Sequence, residues 1–239
     1  AQSGNTGGLT WAEMSAGVSS DSQANTVAGT NAGDSFSGTF AEFNTLYGYD
    51  AGTAITTGDS NTCVGYRAGK AITTGGNNTL IGRLTGQAIT TGGRNVALGN
   101  YVYEKLTTGN ENIGIGSSAL LELTSGGGNI AIGGSECGKN LTTGGSNIFM
   151  GTEAGKLTVT GSNNIYLGRE CGINATGSNN ICLGIDADPS SNSVSNEITL
   201  GNTSHTKFRV PAIGLEAEDG ILSLKTGSGS VAEARFYCE

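Results

Sequence analysis

The stretch that decides the fold is "GSNNIYLG", residues 161–168, in which Asn164 stands four places before Gly168 and the strand-like residues between them are apolar. It returns as "GSNNICLG" at 177–184 and "GGNNTLIG" at 75–82. Aligned on the closing glycine, the device falls at Gly48, Gly65, Gly82, Gly99, Gly116, Gly133, Gly151, Gly168, Gly184 and Gly201, in steps of 17 residues apart from one of 18 and one of 16. Four places before these glycines stand Asn44, Asn61, Asn78, Asn95, Asn112, Asn129, Asn147, Asn164 and Asn180, with Glu197 as the exception. A second glycine column, Gly58, Gly75, Gly92, Gly109, Gly126, Gly144, Gly161 and Gly177, lies seven before the first. A fixed period near this length with two points of glycine punctuation is how a solenoid looks in sequence.

The residues between Asn and Gly, such as "TLI", "VAL" and "IYL", read as a short strand. "AITT" at 54, 71 and 88, "KLTT" at 105 and "NLTT" at 140 read as a second extended piece. Each unit is expected to be strand, turn, strand, turn: one coil of a two-sided parallel β-roll. At ~4.8 Å per coil, about ten coils make a rod on the order of 50 Å long. The nine asparagines are read as a structural ladder, because Asn tolerates left-handed corners and stacked identical amides hydrogen-bond from coil to coil. Sequons at Asn77, Asn140, Asn174 and Asn202 are what chance supplies in a chain this rich in Asn, Ser and Thr.

Strand side chains alternate between faces. The residues one and three before the glycine include Val64, Ile81, Leu98, Ile115 and Ile132 beside Val96, Ile113, Ile130, Ile148 and Ile165, and are expected to form the interior. The residue two before it reads Leu46, Cys63, Leu80, Ala97, Gly114, Ala131, Phe149, Tyr166, Cys182 and Thr199, with no charge. A solvated face would carry charge, and no helical periodicity supplies a cover. That second column is therefore expected to be an inter-chain face, buried against copies of the same chain, with Gly114 and Ala131 permitting close approach at an axis.

Composition agrees with a repeat more than with a large globule, since 42 of 239 residues are Gly and 6% are aromatic. The net charge of -8 repels phosphate backbones and excludes nucleic acid as a favoured partner. No apolar run reaches the ~20 residues of a spanning helix, and "AQSGNTGGLT" lacks the regions of a signal peptide, so no membrane insertion is expected. The chain opens on Ala1, as a processed product or a segment of something longer would. Five cysteines without CxxC spacing imply neither a zinc site nor a complete disulfide framework. Cys63 and Cys182 fall in the expected inter-chain column, where symmetry-related thiols could bridge chains, and Cys137 and Cys171 in the corner after the glycine.

Residues 1–42 lack the repeat and are expected to be a cap or adaptor anchored by Trp11, Phe36, Phe40 and Phe43; the array occupies 43–201. Residues 202–239, with "TKFRVPAI", "GILSLKT" and "ARFYCE", read as a small C-terminal β-region. Candidate chemistry is sparse. His205 follows Ser204 directly, Asp186 and Asp188 suit a turn before Pro189, and Glu216, Glu218 and Asp219 are loop acids without a pocket. No catalytic residue, metal or cofactor is assigned, and an enzyme is not expected. Ranks of Thr such as those of ice-binding solenoids are a rival reading of "TTG", but adjacent threonines point to opposite faces and display one rank.

The units "NTCVGYRAG", "NNIYLGRECG" and "NVALG" resemble β-roll repeats in the heads of trimeric autotransporter adhesins. "NEITLGNTSHTKFRVPAIG" at 196–214, after its array, is similar to segments of tail fibres and other appendages of tailed bacteriophages. The likeness covers about 43–214 and implies a left-handed parallel β-roll in a homotrimeric fibre. The stalk and anchor of the adhesins are not seen in this sequence, which favours the phage reading or a fragment. The expectation is an all-β structural and adhesive fibre segment of a phage tail fibre, for host attachment. Its place would be on the virion, with other tail proteins and a host surface glycan or receptor as partners. The alternative is a bacterial surface adhesin or self-assembling extracellular filament, and a glycan-degrading tailspike is third.

Overall fold

The computed structural model describes residues 19–37 and 40–205. Twelve strands form one sheet in sequence order: β1 (Ser19–Ser20), β2 (Thr26–Ala28), β3 (Thr45–Tyr47), β4 (Thr62–Val64), β5 (Thr79–Ile81), β6 (Val96–Leu98), β7 (Ile113–Ser117), β8 (Ile130–Ser135), β9 (Ile148–Met150), β10 (Ile165–Leu167), β11 (Ile181–Leu183) and β12 (Ile198–Leu200). From β2 onward they are parallel and in repeat register, so that Leu80 stands between Cys63 and Ala97, and Tyr166 between Phe149 and Cys182. The chain is an all-β parallel solenoid of about ten turns, with no helix among the described residues.

Only the Asn-to-Gly segment is a strand; the threonine segments, expected to be a second one, are bends. The N–H groups of Thr56, Thr57 and Gly58 converge on the Thr73 carbonyl at 3.0, 3.2 and 3.2 Å, and the Thr56 hydroxyl donates to it at 3.1 Å. Thr73 donates likewise to Thr90, and Thr90 to Thr107. A sheet ladder distributes its donors over successive acceptors, whereas several donors on one carbonyl pinch the chain into a corner. The glycine that follows has a steric reason: a Cβ on Gly75 would run into the Gly92 carbonyl of the next coil. The closing glycine Gly65 meets the same limit, since a Cβ there would run into the Gly82 carbonyl, and it also has φ +135°. The left-handed residue near each ladder asparagine is the one before it, as at Ser60, Asn77 and Arg94 with φ 58°, 60° and 57°.

The structure reverses the expected faces. Leu46, Cys63, Leu80, Ala97, Ala131, Phe149, Tyr166 and Cys182, assigned to an inter-chain face, are buried inside the roll of one chain, and Gly114 is buried in the same column. The residues on either side of them in each strand, expected inside, face outward. The reason is parity. Positions two apart share a face, and the central strand residue stands two from the ladder asparagine, whose amide is buried.

Four positions per coil face inward: the asparagine, the central strand residue, a small residue such as Ala51 or Ala68, and an aliphatic one such as Ile55 or Ile72. Their sizes compensate. Large central residues pair with a glycine six places on: Leu46 with Gly52, Leu80 with Gly86, Phe149 with Gly155. A Cβ on Gly52 would lie 2.7 Å from the Leu46 side chain, and one on Gly155 2.9 Å from Phe149. After the small Ala97 and Gly114 that glycine gives way to Tyr103 and Leu120, buried despite φ of 55° and 50°. Gly114 is small because Val102 and Tyr103 occupy its space, and a Cβ there would come 2.6 Å from Val102. Close approach at an axis is not the reason. Tyr103 keeps its hydroxyl satisfied by donating to the Val96 carbonyl at 3.2 Å.

The roll also starts earlier than the period indicates. Asn25 and Gly29 form a coil 19 residues before Gly48, and β2 pairs in parallel with β3. Residues 21–37 and 40–42 thus belong to the array rather than to a separate cap. β1 pairs antiparallel with β2 and covers the first sheet edge. Of the expected anchors, Phe36 packs half-buried against the core while Phe40 and Phe43 are exposed. Trp11 and the strands expected beyond His205 lie outside the described residues.

Candidate functional site

Two columns, both generated by the strand, are candidates: the buried amides and the outward apolar rows. In the first, Asn78 Nδ2 donates to Asn61 Oδ1 at 3.0 Å and to the Gly92 carbonyl at 3.0 Å, and its backbone N–H also reaches Asn61 Oδ1. Its own Oδ1 accepts the backbone N–H and Nδ2 of Asn95, both at 3.1 Å. The pattern joins Asn44, Asn61, Asn95, Asn112, Asn129, Asn147 and Asn164, all fully buried. At Asn180 the amide nitrogen keeps the corresponding carbonyl bond, to Val194 at 2.8 Å, and the backbone N–H meets Asn164 Oδ1 at 2.9 Å without the amide–amide bond of the other coils. Every donor and acceptor of Asn78 is used, so the ladder has no group to offer a ligand. Its role is to make a polar interior affordable.

Both ends of the ladder are closed by acids. Asp21 Oδ2 accepts from Asn25 Nδ2 at 2.9 Å, in the place of a preceding asparagine, and this bond holds the Asp21 carboxyl below its usual range. At the far end the Glu197 N–H donates to Asn180 Oδ1 at 3.0 Å, while its carboxylate takes the Ser190 N–H and hydroxyl and the Thr199 hydroxyl. Sequence reasoning missed the first closure, although "NTVAG" at 25–29 carries the repeat.

The second candidate is the outward sheet face. One row reads Thr26, Thr45, Thr62, Thr79, Val96, Ile113, Ile130, Ile148, Ile165, Ile181 and Ile198; the other reads Tyr47, Val64, Ile81, Leu98, Ile115, Ile132, Met150, Leu167, Leu183 and Leu200, preceded in register by the buried Ala28. None is charged. Tyr47 is 62% exposed, Leu98 and Met150 42%, and Ile198 66%. Charges sit at the corners instead. Asp50 lies between Arg67 at 3.4 Å and Lys70 at 3.1 Å, and the Asn31 amide with these cations holds its carboxyl low. Lys139 and Lys156 do the same for Glu136. Tyr49 stacks on Tyr66 with centroids 5.6 Å apart, at the corner adjoining the sheet.

Of the remaining candidates, Asp186 and Asp188 line one open cavity with Thr199, Asn202 and Ser204. Asp186 pairs with Arg169 at 3.4 Å, and Asp188 accepts the Ile173 N–H at 3.0 Å, its carboxyl pushed up by burial. His205 is exposed at the last described position. No group of three or more potential metal ligands occurs among the described residues. Glu216, Glu218, Asp219 and Cys238 lie outside them. Cys63 and Cys182 are interior packing residues, so a bridge between chains has no thiols on that face; burial pushes the Cys63 thiol up to about 12. No helix among the described residues is long and apolar enough to cross a membrane.

These features define a class, the parallel β-solenoid repeat proteins with a stacked-amide interior. No family model, curated protein or solved structure matches the chain.

Proposed function

We propose that the chain is a structural and adhesive fibre segment, a left-handed β-roll whose outward sheet faces pack together in a homotrimer. The carrying observation is the uncharged double row on that face. A strip three residues wide and about ten coils long covers roughly 10 by 50 Å, on the order of 500 Å² in projection. An uncharged strip of this size, apolar in both rows from Val96 onward, marks an interaction site on a monomer. A second copy is the occupant whose rows run at the same spacing over the same length, and closed rotational symmetry lets each copy bury its strip without leaving another open. Such a rod supplies reach and stiffness and needs no chemistry. Its resemblance to tail-fibre segments favours a virion appendage that contacts other tail proteins and a host surface glycan or receptor. A bacterial adhesin or extracellular filament is the second reading, favoured by the adhesin-head repeats.

Sedimentation of the full chain tests the assembly: a particle of three times 23.9 kDa is expected, and a folded monomer with a wetted sheet face overturns it. Antibodies against the chain are expected to label a virion appendage; labelling of a bacterial surface instead selects the second reading.

A further inference from the structure

The interior that excludes Cys63 and Cys182 from a neighbouring chain brings one pair of thiols together. Cys171 follows Gly168 at the inward corner, and Cys182 is the central residue of β11 in the next coil. Corresponding pairs elsewhere are Ala51 with Cys63, Ala68 with Leu80 and Cys137 with Phe149, so only here do both columns carry sulfur. The step from Gly168 to Gly184 is also the one of 16 residues. Cys171 Sγ lies 2.9 Å from the Cys182 carbonyl oxygen, against 3.3 Å for Cys137 Sγ to the Phe149 carbonyl. Both are free thiols with fully buried side chains, and each acts on the other: Cys171 lowers the Cys182 thiol, while Cys182 together with burial raises that of Cys171.

Just beyond this pair the interior runs out. In the last coil Ser191 stands where Ile55 and Ile72 stand in theirs, Val194 replaces a glycine, Glu197 replaces the asparagine and Thr199 the apolar centre. A staple between the coils of Cys171 and Cys182 would secure the point where packing weakens.

We propose that Cys171 and Cys182 close a disulfide within one chain, joining adjacent coils inside the roll. The oxidant is a low-molecular-weight disulfide of the glutathione type. The Cys182 thiolate attacks it, expelling one small thiolate and leaving a mixed disulfide; Cys171 sulfur then attacks the mixed disulfide and expels the second. Two protein thiols and one small disulfide thus become one protein disulfide and two small thiols, which take up both protons. Exchange needs the thiols to be reached, so closure accompanies folding or opening of the terminal coils. It does not depend on assembly.

The test is to hold the full chain in oxidised glutathione, both folded and during refolding from denaturant. Remaining thiols are then alkylated in denaturant and the protein is cut after Arg169 and Lys207, giving one peptide with both cysteines. The expected peptide is two hydrogens lighter and unalkylated, with Cys63 and Cys137 alkylated, and reduction restores two reactive thiols. Cys171→Ser and Cys182→Ser are each expected to leave the other cysteine alkylatable. Two alkyl groups or two stable glutathione adducts on that peptide after refolding, or a bridge to Cys137 or Cys238, would overturn the proposal.

Discussion

Each strand of this roll has an inner and an outer row, and the two obey different rules. Inside, residue sizes vary from Gly114 to Tyr166, and each choice is matched by a neighbour that makes or fills room. Outside, sizes vary little from Val96 onward, and branched aliphatics follow one another coil after coil without a compensating partner in the same chain. Jigsaw variation marks a surface already packed against its own chain. Uniformity marks one that must meet a repeating surface elsewhere. Apolar character does not separate the two, which is why judging by it places each on the wrong side.

The sharpest way to break the contrast is to cut into the inner row. Phe149→Ala removes a ring stacked on Tyr166 at 5.2 Å and should cost about 3–5 kcal/mol in urea unfolding of the chain. Asn112→Ala strands the Gly126 carbonyl and the Asn129 backbone N–H and leaves the Asn95 oxygen one of its two donors, and a loss of about 3 kcal/mol is expected from the same measurement. Compensation itself is testable by a double-mutant cycle. Ala97→Leu alone overpacks against Tyr103 and Tyr103→Gly alone leaves a void, whereas together they rebuild the Leu80 and Gly86 arrangement, with a coupling of about 1–3 kcal/mol. Additive losses would show that the pairing is coincidental.

On the outer row the expected signature is the opposite. Ile130→Lys or Leu167→Lys should change the stability of an isolated chain by less than about 0.5 kcal/mol, yet disperse the assembly in sedimentation. If these variants unfold the chain and leave stoichiometry alone, the assignment of rows fails. The smallest effect is at the ladder's first amide. Asp21 has its folded pKa depressed by Asn25, so its contribution is present above the unfolded value of 3.8 and is lost as pH falls through the lower folded value. Asp21→Asn should flatten that acid arm of a melting-temperature profile slightly, while leaving neutral pH nearly unchanged.

Much of this was legible in sequence. The period, the strand between Asn and Gly, and the identity of the ladder residues follow from spacing, because a coil that stacks on its like must repeat its hydrogen-bonding residues in register. That the threonine segment is a bend and not a second strand was not legible: "ITT" has strand propensity, but its length between two glycine corners leaves three donors on one carbonyl. Facing was legible only by reference to a residue whose burial is independently required. The asparagines provide it, since amides stack effectively only away from water. The coil at Asn25 was hidden by its step of 19 residues, although its motif is intact.

The ladder has one more consequence. All its carboxamides point the same way, nitrogen toward the preceding coil and oxygen toward the next, so their dipoles add along the rod as peptide dipoles do along a helix. The column therefore has a positive head, where the anion of Asp21 sits, and a negative foot. Coils could be duplicated or deleted whole without disturbing this polarity, but a coil inserted in reverse would set like ends against each other.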